Sequence, residues 1–306
     1  EAEEPKVFPL KPTKGSYSSL APTGHGDGGD AHDFDLQTAD TGGVSEGVHP
    51  IFAIGGGAKT GTCWHEVLER IPFDSSDEAV RLAVDRAMRI HGVVNPGADD
   101  LNEKVDVVSM MIRKTLEYKI LSPAQETFCL RQVVAEDRLS EWEFDFSSRN
   151  AAETTEAVTA ILKEEWRDDP SKASFLSATE CWKREIPKGF FKGFLDLLFR
   201  HGEYFYVVDW KSNVLNRRAA GFNEEGVTSE MAAAGYFFQY LLYSVVLHRF
   251  LRETLGERYS WERNFGGVRY YFLRGIAAGG ASPVFSDRPG ERLLDRLSEV
   301  LGLEGK

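Results

Sequence analysis

Asp196, Asp209 and Lys211 are the residues of this sequence best spaced to do chemistry together. Residues 190–200 read as a strand, His201, Gly202 and Glu203 as a tight turn, and residues 204–211 as a second strand. Side chains alternate along a strand, so Phe194, Asp196 and Leu198 share one side of the first, and Phe205, Val207, Asp209 and Lys211 one side of the second. A hairpin therefore brings both carboxylates and the lysine together. Their neighbours Leu195, Leu197, Val207 and Val208 are apolar, and an ionised carboxylate there is costly unless it is paired or holds a metal. Two carboxylates are hard oxygen ligands suited to Mg²⁺ or Mn²⁺. The lysine can stabilise charge on a phosphate or help to deprotonate a water. The bland alternative is an ion pair at a sheet edge, the usual meaning of a lone Asp-x-Lys. A second aspartate on the preceding strand weighs against it.

The elements around this hairpin alternate between helix and strand. Trp64, Val67, Leu68 and Ile71 recur at helical spacing, with Thr62 as an N-cap. Helical patterns follow at residues 77–90 and 101–120. Residues 139–146 alternate Trp142, Phe144 and Phe146 with Glu141, Glu143 and Asp145, which predicts a strand whose two glutamates read as solvated. Residues 157–166 read as helix, 229–255 as one long helix, 268–273 as a strand and 291–301 as a closing helix. This order predicts a mixed α/β sheet. Residues 1–48 are different: rich in Gly, Ser and Asp, they read as a linker or arm. With a first residue Glu1 rather than Met, the expectation is a piece cut from a longer polypeptide.

Further motifs turn the hairpin into a pattern. Gly193-Phe-Leu-Asp196 followed by Asp209-Trp-Lys211 resembles the PD-(D/E)xK nuclease superfamily. Gly61-Thr-Cys-Trp-His65 looks like that family's first motif, and Gln239-Tyr-Leu-Leu-Tyr243 like the Q-x-x-x-Y motif of its RecB-type branch. The phrases Asp209-Trp-Lys-Ser-Asn213, Leu247-His-Arg-Phe-Leu251, Phe265-Gly-Gly-Val268 and Tyr271-Phe-Leu-Arg-Gly275 are similar to the C-terminal nuclease domain of RecB-type subunits of exodeoxyribonuclease V. The resemblance covers residues 50 to 290 in order. It implies a restriction-endonuclease-like core, a mixed central sheet flanked by helices, over residues 49–306. It also implies His65, Asp196, Asp209 and the backbone carbonyl of Trp210 as ligands of Mg²⁺, with Mn²⁺ able to substitute. Lys211 would be the catalytic lysine, and Gln239 and Tyr243 would orient the phosphate or the lysine. Many superfamily members carry Glu where Asp209 stands; RecB-type sequences use Asp. The implied activity is hydrolysis of DNA phosphodiesters in double-strand-break repair and recombination, beside RecC-like and RecD-like partner subunits.

Composition sets limits on this expectation. Of 306 residues 42% are hydrophobic and 27% charged, enough for a sizeable core and against general disorder. The net charge of −12 argues against holding nucleic acid by bulk electrostatics. Cys63, Cys129 and Cys181 are too few and too scattered for a disulfide framework or a zinc site, so a reducing, cytoplasmic compartment fits. No apolar run approaches the roughly 20 residues of a membrane span. Residues 54–60, Ile-Gly-Gly-Gly-Ala-Lys-Thr, evoke a phosphate loop but put Ala58 where it needs Gly, so nucleotide binding is rejected. The rival to a nuclease is a nuclease-fold scaffold that binds DNA or partner subunits without cutting. The presence of His65, Asp196, Asp209 and Lys211 together favours the enzyme.

Overall fold

The computed structural model describes residues 48–94, 99–148, 151–180 and 189–301. The expected arm at residues 1–48 lies outside them except for Val48, as does Cys181. Helices α1 (Ala58–Arg70), α2 (Asp77–Ile90) and α3 (Leu101–Glu117) lead into a two-stranded ribbon of β1 (Ile120–Leu121) and β2 (Thr127–Phe128). Strand β3 (Arg138–Ser148) is followed by α4 (Ala151–Glu165) and α5 (Ala173–Glu180), and then by the hairpin of β4 (Gly189–His201) and β5 (Tyr204–Lys211). Helices α6 (Glu224–Ala233), α7 (Tyr236–Leu255) and the single turn α8 (Trp261–Asn264) carry the chain to β6 (Phe265–Phe272). The chain closes with α9 (Leu273–Ala278), β7 (Val284–Asp287) and α10 (Glu291–Val300).

Strands β3 to β7 form a five-stranded sheet in sequence order, antiparallel except where β5 runs parallel to β6. A parallel neighbour needs a crossover, and α6 with α7 provides it. Helix α7 covers one face, where the Tyr240 ring lies 5.3 Å from Phe285 of β7. The other face meets the chain just after α3, where Tyr118 packs edge-on against Tyr271 at 5.8 Å. Residues of both faces and all three N-terminal helices join one core, with Trp64, Val84, Val108, Leu198, Val207 and Tyr270 fully buried. This is the mixed sheet flanked by helices that the PD-(D/E)xK resemblance implies.

Gly193 of the hairpin motif has a steric reason. Its register partner on β3 is Phe144, and a Cβ at residue 193 would come within 2.2 Å of that ring. The ring lies over the bare backbone and meets Tyr243 of α7 edge-on at 5.9 Å, closing the sheet against the helix.

Several boundaries differ from the sequence expectation. Helix α1 begins at Ala58 behind an N-cap at Gly57, so Thr62 is inside the helix and caps nothing. Thr60 instead ties the lead-in down, its hydroxyl donating to Gly55 O at 2.8 Å. The single long helix expected at residues 229–255 is two helices. Gly235, at φ +75°, takes the left-handed backbone that ends α6 and starts α7 in a new direction. The helix-favouring residues Met231 to Ala234 just before Gly235 had masked the break.

Candidate active site

The hairpin ladder ends where the chemistry begins. Paired residues run from His201↔Tyr204 to Leu197↔Val208, which sets Asp196 opposite Asp209 at the next step on a shared face. There the side chain of Asp196 takes over from the backbone: its Oδ2 accepts from Trp210 N at 2.7 Å. The two strands part around a carboxylate rather than a carbonyl. Asp196 keeps 12% of its side-chain surface exposed, while the Asp209 side chain keeps 5%.

Helix α1 brings His65 to this opening. Its Nε2 lies 2.8 Å from Trp210 O and its Nδ1 3.4 Å from Asp196 Oδ1. Burial alone would lower the pKa of this imidazole, but the charge and hydrogen bond of Asp196 outweigh it. With help from Asp209 and against Lys211, they raise it to about 9. The ring is then cationic near neutral pH, with Nε2 donating to Trp210 O and Nδ1 facing Asp196 as an ion pair. Burial pushes the Asp196 carboxyl up, and the His65 charge, the His65 hydrogen bond and the Trp210 N–H together hold it below its usual value. A histidine that ligates a metal must be neutral, so an ion held by this ring would take the place of a proton.

Lys211 sits in a tighter shell. Its Nζ lies 3.0 Å from Asp209 Oδ2, donates to Gln239 Oε1 at 3.2 Å, and stands 3.8 Å from the centre of the Tyr236 ring. Only 1% of the residue is exposed. Gln239 is held from both ends of its amide: Oε1 also accepts from Tyr270 OH at 3.2 Å, and Nε2 donates to Tyr243 OH at 2.9 Å. One turn of α7 thus fixes the ammonium. Of the two orienting roles open for Gln239, contact is made with the lysine.

Glu141 was read from the alternation of its strand as solvated, and the structure places it elsewhere. Ligand atoms of Glu141, His65 and Asp196 all lie within 4.8 Å of one another. Ladder pairs flank Glu141 at Ser140↔Leu197 and Trp142↔Leu195, so it stands opposite Asp196 in register, and its backbone has φ +51°. A glutamate in the left-handed region costs of order 1–3 kcal/mol and persists where surrounding structure imposes it. Simple alternation could not reveal this, since a local backbone turn changes where the side chain goes. The signal available was cross-strand register with Asp196.

One nitrogen and several hard oxygens are a fitting donor set for Mg²⁺ or Mn²⁺. The close set is His65, Glu141 and Asp196, with Trp210 O on His65 and Asp209 turned to Lys211. Three carboxylates and two cations thus share the opening of one hairpin.

Comparison with known proteins bears on this geometry. The chain is 40% identical over 129 residues to the RecBCD enzyme subunit RecB of Haemophilus influenzae, a match that spans 42% of the chain and 11% of that subunit. It is 31% identical over 273 residues, 82% of its length and 24% of the relative's, to the RecB subunit of Mycobacterium tuberculosis H37Rv. The chain is a RecB homologue. A third such subunit, RecB of Escherichia coli K12, is 37% identical over 114 residues, 37% of the chain and 10% of that subunit. The chain thus matches about a quarter or less of the length of these RecB relatives. No family model matches it. Among the described residues no helix is long and apolar enough to cross a membrane.

Proposed function

We propose that this chain is the nuclease part of a RecB-type subunit, a metal-dependent deoxyribonuclease that hydrolyses DNA phosphodiesters in double-strand-break repair and recombination. Residues 49–306 would form the nuclease domain and residues 1–48 the arm that joins it to a preceding domain. Its relatives are named as subunits of RecBCD enzymes, so its partners would be DNA and RecC-like and RecD-like subunits. The observation that carries this reading is the parting of β4 from β5 at Asp196 and Asp209, which gathers His65, Glu141 and Asp196 beside the buried Asp209–Lys211 pair.

His65, Asp196, Asp209 and Trp210 O would hold Mg²⁺ or Mn²⁺, with Glu141 in reach. A bound divalent ion would polarise the scissile phosphate and lower the pKa of an attacking water. Lys211 supplies positive charge beside the phosphate as negative charge develops on it. Gln239 and Tyr243 keep that ammonium in place, so its position is set before substrate arrives. His65 would have to give its proton to solvent to hold a metal, and Asp196, bonded to Trp210 N, keeps the imidazole turned toward the opening.

Asp209→Asn tests the reading with little change of shape. Cleavage of linear DNA in Mg²⁺ is expected to fall at least about a thousandfold, roughly 4 kcal/mol of barrier. A rate within about tenfold of the unsubstituted protein would remove Asp209 from the reaction. An unsubstituted chain that binds DNA but shows no metal-dependent cleavage would support the scaffold instead.

A further inference from the structure

A buried arginine outside the hairpin links the two halves of the site. Arg274, at the start of α9, is fully buried. Its Nε donates to Ser212 O at 2.8 Å, the residue directly after Lys211. Its Nη1 donates to Ile51 O at 2.7 Å and Ile54 O at 2.9 Å, and its Nη2 to Gly55 O at 3.0 Å. The guanidinium also stacks on Trp64, 4.7 Å from the ring centre, and Trp64 precedes His65 on α1. One rigid fork thus binds the end of β5, the turn that leads into α1, and the helix itself.

Arginine is suited to this because its five donors lie in one plane at fixed angles and its charge persists even when buried. The chain enters α1 through a 3₁₀ turn at Pro50–Ala53; carbonyls at the end of such a turn lack partners within it, and the fork satisfies those of Ile51 and of the C-cap Ile54. The same seam shows a close approach nearby: a Cβ on Gly61 of α1 would lie 3.3 Å from Ser212 Oγ. The contact that depends on this seam is the 2.8 Å approach of His65 to Trp210 O.

We propose that Arg274 is a positioning residue, one that sets helix α1 against strand β5 and so fixes the distance from His65 to the acidic groups of the hairpin. This deepens the proposed function, because it rests on those groups holding a divalent ion. Arg274→Lys keeps the charge but gathers three donors on one atom, which cannot serve both segments at once. In the folded variant the midpoint for Mn²⁺ binding, followed by calorimetry without DNA, rises about tenfold or more. The cleavage rate at saturating Mn²⁺ stays within a few-fold of the unsubstituted chain.

A second pair of variants leaves Arg274 in place. Gly61→Ala wedges a methyl group against Ser212 and is expected to raise the same midpoint a few-fold; adding Ser212→Gly removes the wedge and returns it. If Arg274→Lys folds and binds Mn²⁺ with an unchanged midpoint, the positioning role is wrong, even if its thermal stability has dropped. Should Arg274→Lys not fold, an unchanged midpoint in Gly61→Ala overturns the proposal in its place. Failure of the unsubstituted chain to bind Mn²⁺ at all would instead sink the metal reading on which both rest.

Discussion

Among the described residues two clusters pair a histidine with two carboxylates, and they behave in opposite ways. His65 faces Asp196 and Glu141 at the parted hairpin; His248 of α7 faces Asp295 and Glu291 of α10. In the second cluster a guanidinium has already taken the place a metal would need. Arg252 Nη1 donates to Asp295 Oδ1 at 2.5 Å, and the same oxygen lies 3.2 Å from His248 Nε2. Tyr259 OH lies 2.7 Å from His248 Nδ1, so both ring nitrogens are engaged. The pKa values follow. Burial, with Arg252 adding to it, holds His248 below its ordinary value despite Asp295, whereas at His65 the carboxylates overcome burial and raise it to about 9. A histidine near acids is thus no sign of a metal. What separates the clusters is the balance at the ring: at His65 the carboxylates outweigh burial, and at His248 burial with Arg252 outweighs the carboxylates.

The largest effect expected lies at Asp209, where chemistry and stability come apart. Asp209→Ala is expected to remove cleavage, and it also strips the counter-charge from a lysine that is 1% exposed. Breaking a buried pair from one side costs about 3 kcal/mol or more in unfolding free energy. Adding Lys211→Met to that variant is expected to restore much of the stability and none of the cleavage, as read by denaturant melts beside a nuclease assay. A single Asp209→Ala as stable as the unsubstituted chain would show that Lys211 does not depend on this carboxylate.

Next in size is His65→Ala. If it is the nitrogen ligand of the proposed site, it suits Mn²⁺ better than Mg²⁺, so its loss should weaken metal binding and cleavage together, with excess Mn²⁺ restoring part of the rate. A proton carrier predicts a loss that metal does not rescue, and a surface histidine predicts none. An unchanged metal midpoint would place His65 with His248, as a structural residue.

Asp209 and the hairpin were readable because they depend on local rules, whereas His65 was reached only through the resemblance of residues 61–65 to a family motif. Period-two alternation put Asp209 and Lys211 on one side, but the register that faces Asp196 with Asp209 comes from a two-residue turn, Gly202 and Glu203, with His201 paired to Tyr204; the three-residue turn expected at 201–203 would have set Asp196 opposite Val208. Helix periodicity gave α2 its bounds, 77–90, as observed. What could not be read depends on tertiary context. The left-handed backbone at Glu141 exists only because neighbouring pairs on both sides hold the strand in register. Arg274 looked like part of a family phrase, but its acceptors at residues 51–55 are more than 200 positions away. Gly235 breaks a helix whose composition gives no other sign of stopping.

Glu141 offers a test in which stability and binding move apart. Glu141→Gly and Glu141→Ala both remove the carboxylate, so both are expected to raise the metal midpoint several-fold. Only glycine accepts φ +51° without strain, so it should be the more stable of the two by about 1 kcal/mol. Equal stabilities would mean that the backbone relaxes out of the left-handed region once the carboxylate is gone.

The smallest effect separates the second cluster from the first by pH alone. Because the folded-state pKa of His248 is lowered, the folded protein binds fewer protons there than the unfolded chain does between that value and about 6.5. Stability from this residue is therefore complete above about pH 6.5 and declines as pH falls through that window toward the folded pKa. Gln can replace the neutral ring's bonds, its oxygen accepting from Tyr259 and its amide donating to Asp295, and it does not titrate. His248→Gln should therefore lose less stability than the unsubstituted chain between pH 7.5 and 5.5, with cleavage and metal midpoint unchanged at pH 7.5. Melting both proteins across that range in metal-free buffer reads the difference directly. Parallel stability curves would mean that His248 binds protons equally in both states, and a shifted metal midpoint would mean that the two clusters are not separate sites.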